Sequence, residues 1–497
     1  MTIGILTRRY LAEYARRPVN LGLLVLVPLV FVALASGAIA QFAEVVGGVT
    51  DASRLAAPAA GWAAAFLAGV AGFFHVLDSR QADRRIARAG LGAIRVLAAR
   101  LLSGVVLATL ASSAALVALW LWTGVGDPVR VIGGTLMFSL VYLGIGVAVG
   151  SIVHSDVNGS LVVVFIWMVD VFLGPAMAGG AVWITRLFPS HFVTLVMLDD
   201  PSGHAGPPGD IGWAVAWTIG AIVVAGVVFA ASTRMPGSRR VARIGGWRRL
   251  AAGFRAGLNE YRRNIAMWVL MVALPVFFIS LSFYVTPTDP TPVDVVEQGV
   301  AQARILSMAD VHGAIMVPIT VAFLAGLAGL FVVQGSLEAD ARLALAGFRP
   351  CEILGSRFGV IGVAAGVVTG VSLAVTALDF SPQSWGSFAM ANLVVAVTYG
   401  MVGVLVGVLF GRLGGLYVMF LLPFVDVGIA QNVMFSSSPP SWGSFLPARG
   451  AVRVLVDAAF TPTFDHVGSI VLAAVWLGLV GLAASAVFHR VAQPKSV

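Results

Sequence analysis

Twelve long apolar stretches alternate with polar, arginine-bearing connections along this chain. They lie near residues 20–40, 59–77, 97–122, 131–153, 159–179, 212–232, 266–285, 313–333, 357–378, 387–411, 414–431 and 467–488. Most approach or exceed the ~20 residues that a helix needs to cross a hydrocarbon layer ~30 Å thick. Lipid cannot satisfy free backbone amides and carbonyls, so runs of this kind must be helices. No ten-residue alternation of apolar and polar positions points to a β-barrel. The pattern therefore predicts an all-α polytopic membrane protein of twelve spans, with both chain ends on one side.

Composition removes the soluble alternatives. Hydrophobic residues make up 59% and charged residues only 11%, against roughly 25% charged in soluble domains. Mean hydropathy is +0.95. With twelve spans and a cytoplasmic N-terminus, 25 of the 31 basic residues fall in inside segments and six outside (Arg54, Arg130, Arg186, Arg304, Arg449, Arg453). That asymmetry satisfies the positive-inside rule and predicts both termini in the cytoplasm. The first apolar run ends in Ala38-Ile39-Ala40, like a signal-peptide cleavage site. It is longer than an h-region of roughly 7–15 residues, so it reads as a span. The single cysteine, Cys351, excludes an internal disulfide.

The chain repeats itself. Glu13-Tyr14, Arg16, Pro28 and Phe31 recur 247 positions later as Glu260-Tyr261, Arg263, Pro275 and Phe278. At an offset of 257, Ala82-Asp83, Arg85, Ala87, Ala89-Gly90 and Arg100 match Ala339-Asp340, Arg342, Ala344, Ala346-Gly347 and Arg357. The same offset pairs Tyr142, Gly146 and Gly150 with Tyr399, Gly403 and Gly407. Val169-Asp170-Val171 matches Val425-Asp426-Val427 at 256, and Pro189 and Asp199 match Pro447 and Asp457 at 258. Charged and Pro/Gly matches in one consistent order indicate duplication rather than chance between apolar helices. The repeat divides the chain into a first half, 1–232, a cytoplasmic linker, 233–246, and a second half, 247–497. Each half holds six spans, so the halves share one topology and are related by an axis along the membrane normal.

Each half opens on an amphipathic segment. Trp247, Leu250, Phe254, Leu258 and Tyr261 recur at helical spacing among arginines, as do Leu6, Tyr10 and Tyr14. A helix lying in the membrane interface accounts for the aromatic stripe. A charged stop-transfer flank accounts only for the arginines. The loops 78–100 and 335–357 follow the second span of each half and carry net charges of +4 and 0. After the fifth span, Gly174-Pro175 and Gly428 mark breaks, followed by short apolar segments 181–200 and 440–460. Such segments are too short to span and too apolar for a free loop, so re-entrant or capping helices are expected there.

An interfacial elbow, six spans, a charged first loop and broken helices between spans five and six resemble the type-2 ABC transporter permeases. Two such halves in one chain are similar to double-length permeases of actinobacterial antibiotic and multidrug exporters. The resemblance covers nearly the whole chain and rests on layout. It implies a bacterial plasma (inner) membrane and coupling helices in 78–100 and 335–357. Asp83, Arg84, Arg85, Arg88, Glu338, Asp340 and Arg342 would then dock two copies of an ABC ATPase subunit. It also implies alternating access and export of an apolar or amphipathic small molecule (a drug, antibiotic or lipid) between the halves.

A P-loop needs a lysine after its glycine-rich turn. The only lysine, Lys495, follows Pro494. No Walker A motif exists in these residues, so ATP and Mg²⁺ are expected on partner subunits, with no cofactor, metal site or catalytic residue in this chain. The seven histidines show no metal-ligand spacing. Arginines at the membrane boundary fit anionic lipid, not nucleic acid.

Asp170 and Asp426 stand at equivalent places in the fifth spans. A membrane-embedded carboxylate usually faces a cavity or a partner. One reading has the pair contacting a cationic substrate; the other, which we favour, has each capping the broken helix that follows or pairing with a charge such as Arg449. Phe165, Trp167, Phe172, Phe420 and Phe424 either line an apolar substrate cavity or simply pack. The glycines 362, 366 and 370, with the 146/150 and 403/407 pairs, read as close-packing positions. The principal rival function is an ion-coupled secondary transporter with Asp170 and Asp426 carrying protons. It requires neither paired docking loops nor interfacial helices. A polytopic enzyme would need a catalytic carboxylate with metal or phosphate ligands in a large outer loop, and none is evident.

Overall fold

The computed structural model describes residues 2–45, 52–87, 91–177, 183–198, 206–232, 265–297, 300–345, 350–434, 440–462, 465 and 467–492. The chain divides into two compact units, Met1–Arg239 and Arg240–Val497.

The first unit runs α1 (Thr2–Ala15), α2 (Pro18–Val45), α3 (Ala52–Leu77), α4 (Arg80–Ile86), α5 (Ala93–Trp122), α6 (Pro128–Ile152), α7 (Asp156–Phe172), a 3₁₀ turn (Trp183–Leu187), α8 (His191–Leu198) and α9 (Gly206–Ser232). The second runs α10 (Ile265–Val285), β1 (Pro290–Glu297), β2 (Val300–Ser307), α11 (Met308–Leu345), α12 (Pro350–Thr376), α13 (Trp385–Pro423), a π-helical turn (Phe424–Ala430), a 3₁₀ turn (Ser441–Phe445), α14 (Arg449–Phe460) and α15 (Val467–Ala492).

Each of the twelve apolar stretches overlaps a helix, although the helix in the fifth, 159–179, ends at Phe172. Among the described residues, eight helical segments are long and apolar enough to cross a membrane, or nine if α1 and α2 count as one bent span. The eight include the run Trp385–Ala430 as a single segment of 46 residues. Gly411 breaks that run with φ 71°, ψ −168°, a conformation that glycine adopts without a Cβ penalty. In the first unit the same place is a short connection, where Ser155 caps α7 by accepting the Asn158 amide. Similarly, Asp127 accepts the amides of Val129 and Arg130, and Pro128 supplies the first residue of α6.

Burial decides which helices are central. In the most apolar window of α3 and of α11, 89% of residues are buried; in α9 and α15 only 17% are. The exposed face of α9 carries Ile211, Trp213, Ile219, Val223 and Val227, an apolar surface suited to lipid rather than water. The central helices are built for close approach. A Cβ on Gly146 of α6 would lie 2.0 Å from the Gly69 carbonyl oxygen of α3, and one on Gly403 of α13 would lie 2.0 Å from that of Gly326 in α11. Gly362, Gly366 and Gly370 of α12 have no described atom within 4 Å of such a Cβ. Among the described residues of its own unit this stripe makes no helix contact, because the face of α12 that packs there is the one bearing Ile361, Ala365 and Val368.

Two further expectations change. The fold is helical but not wholly so: β1 and β2 form an antiparallel hairpin, with Pro290 opposite Ser307 and Glu297 opposite Val300. Val293 and Val295 are buried on one face of it. Gly428 does not interrupt its helix, which continues as π-helix through Ala430. Near the N-terminus, α1 meets α2 at 83°. It lays Leu6 and Tyr10 against Ala99 of α5. The linker 233–246, the second amphipathic segment 247–263 and Arg88 lie outside the described residues, as do the side chains of Glu338 and Arg342.

Candidate functional site

Two polar constellations occur within these apolar helices, and each occurs in both units. The first joins the connection after the second apolar span to the helix that follows. In the first unit, Ser79 leads into the short helix α4, seven residues or about two helical turns long. That helix places Asp83 inward and leaves Arg85 exposed. Arg100 of α5 grips Asp83 with two donors, Nε to Oδ2 at 2.9 Å and Nη2 to Oδ1 at 2.8 Å. Both residues are almost fully buried. Planar guanidinium and carboxylate match in this two-pronged geometry, which fixes orientation as well as distance.

The α1 helix joins this network. Tyr10 donates its hydroxyl to Asp83 Oδ1 at 3.2 Å, and the Arg100 guanidinium lies 3.5 Å from the centre of its ring. Burial, then the neighbouring Asp83 charge, pushes the Tyr10 hydroxyl up to about 12, so it remains a donor. His75 Nε2 lies 2.7 Å from Ser103 Oγ on the other side. In the second unit, Arg357 Nη2 reaches Asp340 Oδ1 at 2.6 Å, and Ser336 donates to Asp340 Oδ2 at 2.8 Å. The positions matching His75 and Ser103 are Val332 and Val360, so the additional polar contacts are particular to the first unit.

The second constellation surrounds the membrane carboxylates. Tyr142 of α6 donates to Asp170 Oδ2 at 2.5 Å. Asp170 Oδ1 accepts both the Ser190 hydroxyl, at 2.6 Å, and the Ser190 amide, at 3.2 Å. In the second unit, Tyr399 donates to Asp426 Oδ2 at 2.6 Å, and the same oxygen accepts the Ala448 amide at 2.9 Å. Ser190 and Ala448 immediately precede α8 and α14. Each aspartate thus reaches across the break after its own helix and holds the start of the next short helix. Asp170 is 1% exposed and Asp426 0%.

The aromatic set is divided. Trp167 is buried and donates its indole N–H to the Trp62 carbonyl at 2.9 Å; its ring meets Phe66 edge-on at 5.4 Å. Phe420 is buried, while Phe165, Phe172 and Phe424 are half-buried. Of the coupling candidates, Asp83 and Asp340 turn inward to arginine, Arg84 is half-buried, and Arg85 faces out. Sequence reading missed that Asp83 pairs with Arg100 and Asp170 with Tyr142, although all four had been singled out as repeated positions. The available signal was the repeat offset, equal for Asp83 and Arg100 (257) and within one residue for Tyr142 and Asp170 (257 and 256). Among the described residues, no three His, Cys, Asp or Glu side chains converge as a metal site would require.

Residues 52–231 match the family model described as ABC-2 family transporter protein. The type-2 ABC permease resemblance holds. The match runs from α3 to α9 and contains the Asp83–Arg100 pair, without Tyr10, and the Tyr142–Asp170–Ser190 constellation. No curated protein matches the chain. With its apolar helices, the ABC-2 match makes this a multi-pass membrane protein carrying a transport component rather than a catalytic domain. The ABC-2 family implies an ABC ATPase partner.

Proposed function

We propose that the chain is the complete membrane-spanning part of an ATP-driven exporter, two permease halves in succession, served by two ATPase subunits. The observation that carries this is the recurrence of both polar constellations beyond the matched segment. Asp340–Arg357 repeats Asp83–Arg100 at one offset, and Tyr399–Asp426 repeats Tyr142–Asp170 within a residue of it. Buried charges and their partners are costly to place and easily lost, so their return in register supports a second copy of the ABC-2 domain.

Twelve spans follow if Trp385–Ala430 crosses twice and the shorter helices α7 and α10 cross as well. At 1.5 Å per residue the 46 residues of Trp385–Ala430 are roughly twice the ~30 Å hydrocarbon thickness, and Gly411 provides the turn. The α1 helix, at 83° to α2, lies in the cytoplasmic interface. The connections 78–100 and 335–357 then face the cytoplasm as coupling elements, with Arg84 and Arg85 of the first toward an ATPase. Asp83 and Asp340 anchor these elements from within. ATP-driven closure of the ATPase pair moves both elements and exposes the substrate path alternately to either side. The substrate is an apolar or amphipathic small molecule, met by aromatics such as Phe165, Phe172 and Phe424.

Purification of the tagged chain from its native membrane tests this. An ABC ATPase should co-purify at two copies per chain. Absence of any ATPase, with transport that follows the proton gradient, would replace the proposal with the ion-coupled carrier.

A further inference from the structure

One end of the second unit carries a polar assembly with no counterpart among the described residues of the first. Gln431, 3% exposed, donates its side-chain amide to the Gly443 carbonyl at 2.7 Å and lies 3.4 Å from Asp426 Oδ1. Its carbonyl oxygen accepts Arg449 Nη1 at 3.0 Å. Arg449 opens α14, and Arg453 follows one turn later with its side chain exposed. The matching first-unit residues are His191 and Leu195.

The two arginines have no carboxylate partner among the described residues. Asp457, one turn beyond Arg453, is buried and occupied by the Thr461 hydroxyl at 2.6 Å and the Asp465 amide at 3.0 Å. Burial, then the like charge of Arg453, lowers Arg449 to about 10. Cations in the first turns of a helix also oppose its dipole. An anion held between the two guanidinium groups relieves both effects. Immediately before α14, the 3₁₀ turn exposes Trp442 (42%) and Phe445 (77%), side chains typical of a membrane–water boundary.

We infer that Arg449, held in place by Gln431, and Arg453 one turn later, flanked by Trp442 and Phe445, form a docking surface for the phosphate headgroup of an anionic membrane lipid. Charge complementarity selects the phosphate, and the adjoining exposed aromatics select a lipid over a free anion. Through Gln431 the surface touches the hydrogen-bonded group around Asp426, which holds the start of α14. The inference requires only that the chain lies in a membrane, and it is independent of what is exported and what powers export.

Native mass spectrometry of the purified full chain, titrated with phosphatidylglycerol or phosphatidylcholine, tests it. The unaltered protein should retain phosphatidylglycerol preferentially. Arg453→Gln should weaken that retention about fivefold and Arg449→Gln/Arg453→Gln about thirtyfold, from ~1 kcal/mol for each arginine at an anionic surface. Arg130→Gln, at the start of α6 in the first unit, should change nothing. Trp442→Ala/Phe445→Ala should weaken retention of both lipids. Arg453 is exposed, so its single variant keeps the test open if the double variant does not fold. Equal retention by the Arg453→Gln and unaltered proteins overturns the inference. So does displacement of the lipid by millimolar inorganic phosphate, which would mark a free-anion site.

Discussion

Arg100 and Asp83 stand 17 residues apart and meet through two hydrogen bonds, 2.9 and 2.8 Å long, with the ring of Tyr10 against the guanidinium. Arg357 and Asp340 repeat the separation and meet at 2.6 Å. The first pair fastens α4, which follows the central helix α3, to α5; the second fastens the end of the central helix α11 to α12.

A buried ion pair is expensive to break from one side, because the remaining charge stays desolvated; roughly 3–5 kcal/mol is typical. Asp83→Leu and Arg100→Leu should each lower the thermal unfolding midpoint of the purified protein. The double variant Asp83→Leu/Arg100→Leu should recover a substantial part of that loss, since it leaves no orphan charge. Additive losses in the double variant would mean that the two side chains act separately.

The contacts of Asp170 lead to a second expectation. Its two oxygens accept from Tyr142 and Ser190, so an amide in its place must turn an N–H₂ toward one of those donors. Hydrogen bonds to charged groups contribute about 1.5–3 kcal/mol. Asp170→Asn and Asp426→Asn should therefore loosen α8 and α14, measured as faster proteolysis of the segments preceding them. Under the proposed function, export of cationic and neutral substrates should fall in parallel. Selective loss of the cationic ones would return the aspartates to the substrate path.

The close helix crossings make a third prediction. A methyl group on Gly146 or Gly403 has no room, lying 2.0 Å from a backbone oxygen. Gly146→Ala and Gly403→Ala should force α6 from α3 and α13 from α11, with large losses of folded yield. Gly362→Ala and Gly366→Ala meet nothing within their own unit and gain helix propensity of roughly 1 kcal/mol each. Their yield and unfolding midpoint should be unchanged or higher. A loss there as great as at Gly146 would show that the α12 face is packed in the assembled protein.

Apolar run length placed every long helix, because the only solution for a backbone in hydrocarbon is a helix. Run length says nothing about which face packs. Gly362, Gly366 and Gly370 formed the more regular spacing, yet among the described residues the close crossings are made by Gly146 on Gly69 and by Gly403 on Gly326. The hairpin was hidden for a related reason. Its alternation, Val293 and Val295 inward with Asp294 between, is only a few residues long, and strand pairing across Gln298-Gly299 depends on packing that a short pattern does not specify. The repeat brought Asp83, Arg100, Tyr142 and Asp170 to notice through their copies, but a linear match does not tell which of them touch.

The inward position of Asp83 divides the first coupling element into two roles that mutation can separate. Arg85 points out and Arg84 is half-buried, whereas Asp83 is committed to Arg100 and Tyr10. If the element docks an ATPase, Arg84→Glu/Arg85→Glu reverses the charge offered to the partner and leaves the internal ion pair intact. The purified variant should unfold at the same temperature as the unaltered protein, while ATP hydrolysis by the assembled complex loses its dependence on substrate. Asp83→Asn should lower the unfolding temperature and disturb coupling together, because it loosens the mounting rather than the contact. Coupling that survives Arg84→Glu/Arg85→Glu would remove residues 78–90 from the docking surface and leave Asp83–Arg100 as a packing device alone.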